Sequence, residues 1–315
     1  MCLVALAIDE NRRFPLVIAT NRDEFFDRPA ARMGWWTPAE GGPEILAGRD
    51  LQAGGTWLGL TASGRLALVT NVRRQQELDP SAPSRGGIVP HWLRTEMRAD
   101  QFWMQTSLSG YAPFNLIAAD FRRGDCFWAS NDEAIPRRIE RGIHGLSNAS
   151  LDTPWPKVVT LKQRLAEALR GAESVESLSS ELFAALADRS FAADSELPST
   201  GVGKDRERLL SPAFIRTPDG GYGTRCSTVI VTEKIKRQLV THVFERSFTN
   251  GPGVALLRRT VLKDWPPRYA DRSHHPVETS VVAETEVDGT RVTALEMQPP
   301  VKKTRVRSLL KPAAK

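Results

Sequence analysis

The sequence predicts an α+β protein in which antiparallel sheets are covered by helices, and three observations predict it. Short apolar or β-branched runs recur in pairs across turn-forming links. Amphipathic helical patterns lie between those pairs. The chain of 315 residues, 41% hydrophobic and 25% charged, has the composition of an ordinary globular protein at a length that layered folds still accommodate in one domain.

Taken in order, residues 2–8 and 15–20 flank Asp9-Glu10-Asn11-Arg12-Arg13 and read as a hairpin. Residues 55–61 and 65–71 do the same around Ala62-Ser63-Gly64. A helical pattern spans 86–97. Residues 115–120 and 125–129 bracket an Arg-Arg-Gly-Asp turn. Residues 156–170 open with Pro156, suited to a first helical position, and carry Val158, Leu161, Leu165 and Leu169 on one face. Residues 175–188 repeat that pattern, and 226–232 with 239–246 form a last hairpin. The polar, Pro/Gly-rich stretch at 190–222 is either an ordered loop lining something or a flexible lid.

The formal charge of +6 is unevenly placed. Lys302, Lys303, Arg305, Arg307, Lys311 and Lys315 lie in 301–315 without one acid, so this segment alone accounts for the excess. A near-neutral body with a solvated basic tail argues against a specific nucleic-acid partner. No run reaches the roughly 18 apolar residues of a membrane span, and the short N-terminal apolar stretch lacks a basic flank. Three cysteines without a C-x-x-C pair fit a reduced, cytoplasmic setting. No H-E-x-x-H, Cys/His cluster, P-loop or G-x-G-x-x-G pattern occurs, so neither a metal nor a nucleotide cofactor is expected. Gly54-Gly55-Thr56-Trp57 reads as the start of a buried strand at close backbone approach.

Cys2 follows the initiator Met1 and opens the first strand. With Met1 removed, Cys2 carries a thiol nucleophile and an α-amine whose ordinary pKa of roughly 7.7–8.0 suits a general base. The plain alternative is a small apolar residue packed on a buried strand. Asn71 ends one apolar strand and Asn148 follows another short run, so each is placed to donate to an oxyanion or simply to shape a turn. For Arg22 the plain alternative is an ion pair with Asp23, Glu24 or Asp50. Trp35, Trp36 and Trp57 line an apolar pocket or pack in the core.

Several motifs together resemble a known family, the NRDE or transport-and-Golgi-organisation proteins. They are Met1-Cys2, Asn21-Arg22-Asp23-Glu24 with Arg28-Pro29, Gly48-Arg49-Asp50, Gly54-Gly55-Thr56-Trp57-Leu58-Gly59, Thr70-Asn71 and Arg85-Gly86. Leu146-Ser147-Asn148, Trp155-Pro156-Lys157 and Tyr222-Gly223-Thr224-Arg225-Cys226-Ser227-Thr228 continue the series to about residue 250. The resemblance implies a four-layer αββα, N-terminal-nucleophile hydrolase-like domain over 1–268, related to choloylglycine hydrolases and penicillin V acylases. Residues 269–315 would then be a C-terminal extension, partly disordered over the basic 301–315.

By the same resemblance, Cys2, Asp23, Asn71 and Asn148 are the catalytic set of an amidase that forms a thioester. Arg22, Asn21, Arg225 and Trp57 would face the substrate, Arg22 or Arg225 meeting its carboxylate. The Arg that those amidases carry three residues before the Asp is Thr20 here. The alternative is a non-catalytic carrier for haem or an acyl or lipid-like ligand. His91, His144, His242 and the His274-His275 pair form no haem-attachment motif.

Overall fold

The computed structural model describes residues 2–75, 79, 81–133, 135–250 and 254–267, together with the backbone of two later strands at 278–287 and 290–296. The strands are β1 (Cys2–Ile8), β2 (Leu16–Phe25), β3 (Ala30–Trp36), β4 (Ile45–Asp50), β5 (Leu58–Thr61), β6 (Arg65–Asn71), β7 (Phe114–Asp120) and β8 (Asp125–Ser130). After β9 (Arg137–Arg138) and β10 (Gly142–Leu146) come β11 (Tyr222–Ile235), β12 (Gln238–Ser247), β13 (Val254–Lys263), β14 (Glu278–Val287) and β15 (Thr290–Glu296). The helices are α1 (Ile88–Arg94), α2 (Ala99–Ser107), α3 (Pro156–Gly171), α4 (Val175–Leu186) and α5 (Lys204–Leu209).

Two antiparallel sheets result, one in the order β10-β1-β2-β11-β12-β13-β14-β15 and one in the order β3-β4-β5-β6-β7-β8-β9. Strand alternation sorts their apolar residues into three cores. Leu3, Ala5, Ala7, Val17 and Ala19 face Leu161, Leu165, Leu178 and Leu182 of α3 and α4. Val4, Leu6 and Ile18 point the other way, to Leu58, Leu60, Leu66 and Leu68 of the second sheet. Ala67, Val69 and Leu116 on that sheet's outer face pack against Val89, Trp92 and Phe102 of α1 and α2. The layers therefore run α3/α4, sheet, sheet, α1/α2, the αββα order that the resemblance implies.

All four predicted hairpins form with their predicted partners. Helices α3 and α4 form where the 3.6-residue pattern lay; α3 starts at Pro156, and Ser174 and Ser177 cap α4 reciprocally. Strands β3 and β4 were not predicted. Glycines interrupt their apolar alternation, and β3 carries a register shift between Ala31 and Gly34. The 190–222 segment is an ordered loop carrying α5, pinned at several points described below. Strands β14 and β15 extend the first sheet within the segment set apart as an extension. The basic 301–315 stretch lies outside the described residues.

Candidate active site

The β1–β2–β11 register builds the site. Cys2 lies opposite Arg22, and a bulge between Thr224 and Cys226 sets Cys226 opposite Arg22 as well. Because Val4 and Leu6 face the second sheet, alternation turns Cys2 the same way, and its Sγ lies 3.8 Å from the Val69 carbonyl oxygen of β6. Asp23 belongs to the opposite face, with Val17 and Ala19. Its Oδ1 accepts from Thr224 Oγ1 at 2.7 Å.

The ends of β6 and β10 complete the group. Ser147 Oγ donates to the Cys2 carbonyl at 3.1 Å. Asn148 Nδ2 donates to Asn71 O at 2.9 Å and Asn71 Oδ1 at 3.1 Å, while Thr70 Oγ1 donates to Ser147 O at 2.7 Å. Asn148 therefore spends its amide hydrogens on Asn71. With Asn71 Oδ1 held in this way, the Asn71 amide nitrogen is the group left to donate elsewhere. The structure thus brings Cys2, Asp23, Asn71 and Asn148 to one end of the sheet sandwich.

Burial dominates the electrostatics here. It pushes the Cys2 thiol and the Asp23 carboxyl above their ordinary values. It also pushes Lys157, at the start of α3, down to about 7, helped by the Arg73 charge and opposed by Asp23 and Cys2. Lys157 Nζ donates to Leu210 O at 2.8 Å. Arg73 makes a buried 2.7 Å ion pair with Glu207 of α5, and Glu207 also accepts from Thr200 N–H. Asn21 is fully buried, donating to Leu186 O and Ala213 O and accepting from Ser227 Oγ. Expected to face the substrate, it instead pins α4 and the loop to β2. Through Asn21, Lys157 and Arg73, the 190–222 loop is bolted over the buried face of the site.

The Arg22 guanidinium stacks on Trp57, 4.2 Å from the ring centroid, with Nη2 3.7 Å from Glu24 and 3.9 Å from Asp50. Gly48 makes room for this ring, since a Cβ there would lie 2.4 Å from Trp57. A Cβ on Gly55 would lie 2.2 Å from the Gly86 carbonyl oxygen, which accounts for the Gly-Gly-Thr-Trp and Arg-Gly motifs as a close backbone approach. Arg225 Nη1 donates to Phe25 O and Arg28 O, clasping the turn after β2. Two cavities reach residues next to Cys2, one at its β2 partner Arg22 and one at Asn148, beside the Ser147 that holds the Cys2 carbonyl, while Cys2 itself is buried. One of about 220 Å³ is lined by Arg22, Trp57, Arg225 and Cys226; the other, of about 360 Å³, by Asn148, Arg73 and Trp155. Trp57 lines the first cavity, whereas Trp35 joins the core between the sheets and Trp36 donates to Ala47 O beneath Arg49.

Sequence reasoning missed the parts played by Lys157, Arg73, Glu207, Thr224 and Glu245. Lys157 and Thr224 stood inside quoted motifs, which was the available signal; Arg73, Glu207 and Glu245 carried none. His144 pairs with Asp152, His242 with Arg259, and His91 packs on Phe102, all away from both cavities. The His274-His275 pair lies outside the described residues.

A model of the family "Transport and Golgi organisation 2" matches residues 1–250. The chain is 34% identical over 253 residues to the human "Transport and Golgi organization protein 2 homolog", covering 74% of this chain and 89% of that one. It is 26% identical over 281 residues to the Drosophila melanogaster "Transport and Golgi organization protein 2", covering 79% and 93%. Among solved structures it is similar to a Caenorhabditis elegans N-acylethanolamine-hydrolyzing acid amidase ortholog, with 12% identity, a TM-score of 0.40, and 73% and 92% of the two chains covered. It is also similar to the C2A mutant of a Clostridium perfringens conjugated bile acid hydrolase, with 8% identity, a TM-score of 0.41, and 88% and 97% covered.

Proposed function

The chain belongs to the transport and Golgi organisation 2 family, and from that premise we propose that it is an N-terminal-cysteine amide hydrolase acting on a small acyl-amide. The observation that carries the reading is the convergence of Cys2, Asp23, Asn71 and Asn148 from four separate segments at one strand end. A buried, raised thiol is a poor nucleophile unless a base stands beside it. Removal of Met1 provides that base as the Cys2 α-amine, which Asp23 orients.

The thiol proton passes to the α-amine as Sγ bonds to the amide carbon. The Asn71 amide holds the oxyanion, and Asn148 fixes the Asn71 amide in place. Collapse of the tetrahedral intermediate breaks the C–N bond, the α-ammonium protonates the departing amine, and a thioester remains. Water, deprotonated by the α-amine, hydrolyses the thioester and releases the thiol. The cavities at Arg22 and at Asn148 offer room for the two halves of such a substrate. The three cysteines are unbridged, which supports the proposed cytoplasmic setting.

The test is the mass of the N-terminal peptide from protein made without an N-terminal tag, followed by an acyl-amide screen against a Cys2→Ala control. A chain beginning at unmodified Cys2 with Cys2-dependent hydrolysis is the expected result. Retained Met1 would sink the mechanism.

A further inference from the structure

The cavity beside Arg22 is lined by three side chains that each carry a buried polar atom the fold does not use, Arg22 Nη1, Arg225 Nε and Glu245 Oε2. Arg22 is 5% exposed and Glu245 is 1% exposed. Arg22 Nη1 and Glu245 Oε2 have no hydrogen-bond partner among the described residues, and both side chains line the cavity. Native proteins rarely leave such groups unsatisfied, because each costs about 1–3 kcal/mol when buried alone. Three on residues that line one cavity point to a ligand.

The chemistry of that ligand follows from the wall. Arg22, Arg32 and Arg225 face a single acidic side chain, Glu245, so the cavity favours an anion. Glu24 and Asp50 already lie 3.7 and 3.9 Å from the Arg22 guanidinium, which suits a monoanion better than a phosphate dianion. Glu245 Oε1 accepts from Met33 N–H at 2.8 Å and from Ser247 Oγ at 3.2 Å, leaving Oε2 as the face turned to a ligand. Burial raises this carboxyl above its ordinary value, which favours the protonated form that can donate to an oxygen. Trp57, Ala30, Ala31 and Leu256 supply apolar wall. At about 220 Å³ the cavity is smaller than the roughly 300–1,000 Å³ of drug-sized sites, so the apolar part is short. Arg22 stands on β2 and Glu245 on β12 with β11 between them, so the ligand needs polar atoms at two points.

We propose that this cavity binds a short-chain carboxylate bearing a second oxygen, with the carboxylate on Arg22 and the second oxygen on Glu245. Resting on the hydrolase reading, this makes the substrate an amide whose acyl part carries the acid. Binding is testable apart from hydrolysis, in the Cys2→Ala protein. Calorimetric titration would compare 6-hydroxyhexanoate, hexanoate and hexanol with the full chain. Hexanoate is expected to bind about tenfold tighter than hexanol, and the terminal hydroxyl to add at least about threefold. Arg22→Gln should remove the advantage of the acid. Glu245→Leu should remove that of the hydroxyl while Glu245→Gln keeps it. Ala31→Trp, which fills the cavity and leaves Arg22 in place, should abolish all binding and stands in if Arg22→Gln does not fold. Equal affinity for hexanol and hexanoate, absence of carboxylate binding at millimolar concentration, or unchanged binding in Ala31→Trp would each overturn the proposal. Hydrolysis failing while binding persists would overturn only the mechanism at Cys2.

Discussion

Two buried charge clusters in the same sheet sandwich are built to opposite effect. In the second sheet, Asp120 takes Arg65 at 3.2 Å, Arg122 at 3.3 Å and Arg123 at 3.2 Å, while Arg65 also donates to Trp92 O and Met97 O. Burial opposes ionisation of Asp120, yet hydrogen bonding and charge from Arg122, with Arg65 and Arg123, hold its carboxyl below the usual range. Around Cys2 the balance reverses. Burial wins at Cys2, Asp23 and Glu245, which all shift toward the protonated form, and Lys157 shifts toward the neutral amine. Where ion pairing outweighs desolvation a cluster braces a fold; where desolvation outweighs the neighbouring charges, the groups keep protons to move.

The comparison can be broken by substitution. Cys2→Ala is expected to cut acyl-amide turnover by about 10⁴-fold or more while changing stability little, measured on protein whose N-terminus has been sequenced. Asp120→Ala should do the converse. It strands Arg65 in the core and should lower unfolding free energy by about 3–5 kcal/mol in a urea titration. Equal turnover per folded molecule would confirm the brace, and a turnover loss beyond the unfolded fraction would contradict it.

Asn71→Ala should lower kcat by about 10²–10³-fold with KM little changed, since an oxyanion donor acts in the transition state. Asn148→Ala should cost less, because it acts through Asn71. An equal or larger loss at Asn148 would exchange their roles.

The last effect is one of pH and concerns Lys157. Its amine titrates near 7 in the folded chain and near 10.5 when unfolded, so between these values the unfolded state binds more protons. Stability contributed by this site therefore rises with pH across that window and is lowest below it. Lys157→Met should remove the rise, seen as a flatter plot of unfolding free energy against pH from about 7 to 10. An unchanged slope would mean that Lys157 stays charged on Leu210 O.

Much of this was legible in the chain because the relevant signals are local. The hairpins at 2–20, 55–71, 115–129 and 226–246, and helices α3 and α4, follow from period-2 and period-3.6 patterning with turn and cap residues between. The motifs also marked Cys2, Asp23, Asn71 and Asn148, since Cys2 opens β1, Asp23 lies in the last turn-ward residues of β2, Asn71 closes β6 after Thr70, and Asn148 follows Ser147 just beyond β10. Strands β3 and β4 were hidden because their pairing, not their alternation, makes them strands.

What only the tertiary structure decided is which of these polar residues meet and which are used up. Asn21 and Asn148 look alike in sequence, yet Asn21 is consumed by Leu186, Ala213 and Ser227 while Asn148 orients Asn71. Glu245 and Cys226 carry no motif-independent signal, and a bulge in β11 together with a two-strand offset brings them to one cavity with Arg22. The alternation of apolar residues selects faces and layers on its own, because burial is additive along a strand. Protonation and pairing depend on which charges share a desolvated volume, and that is fixed only when distant segments close around it.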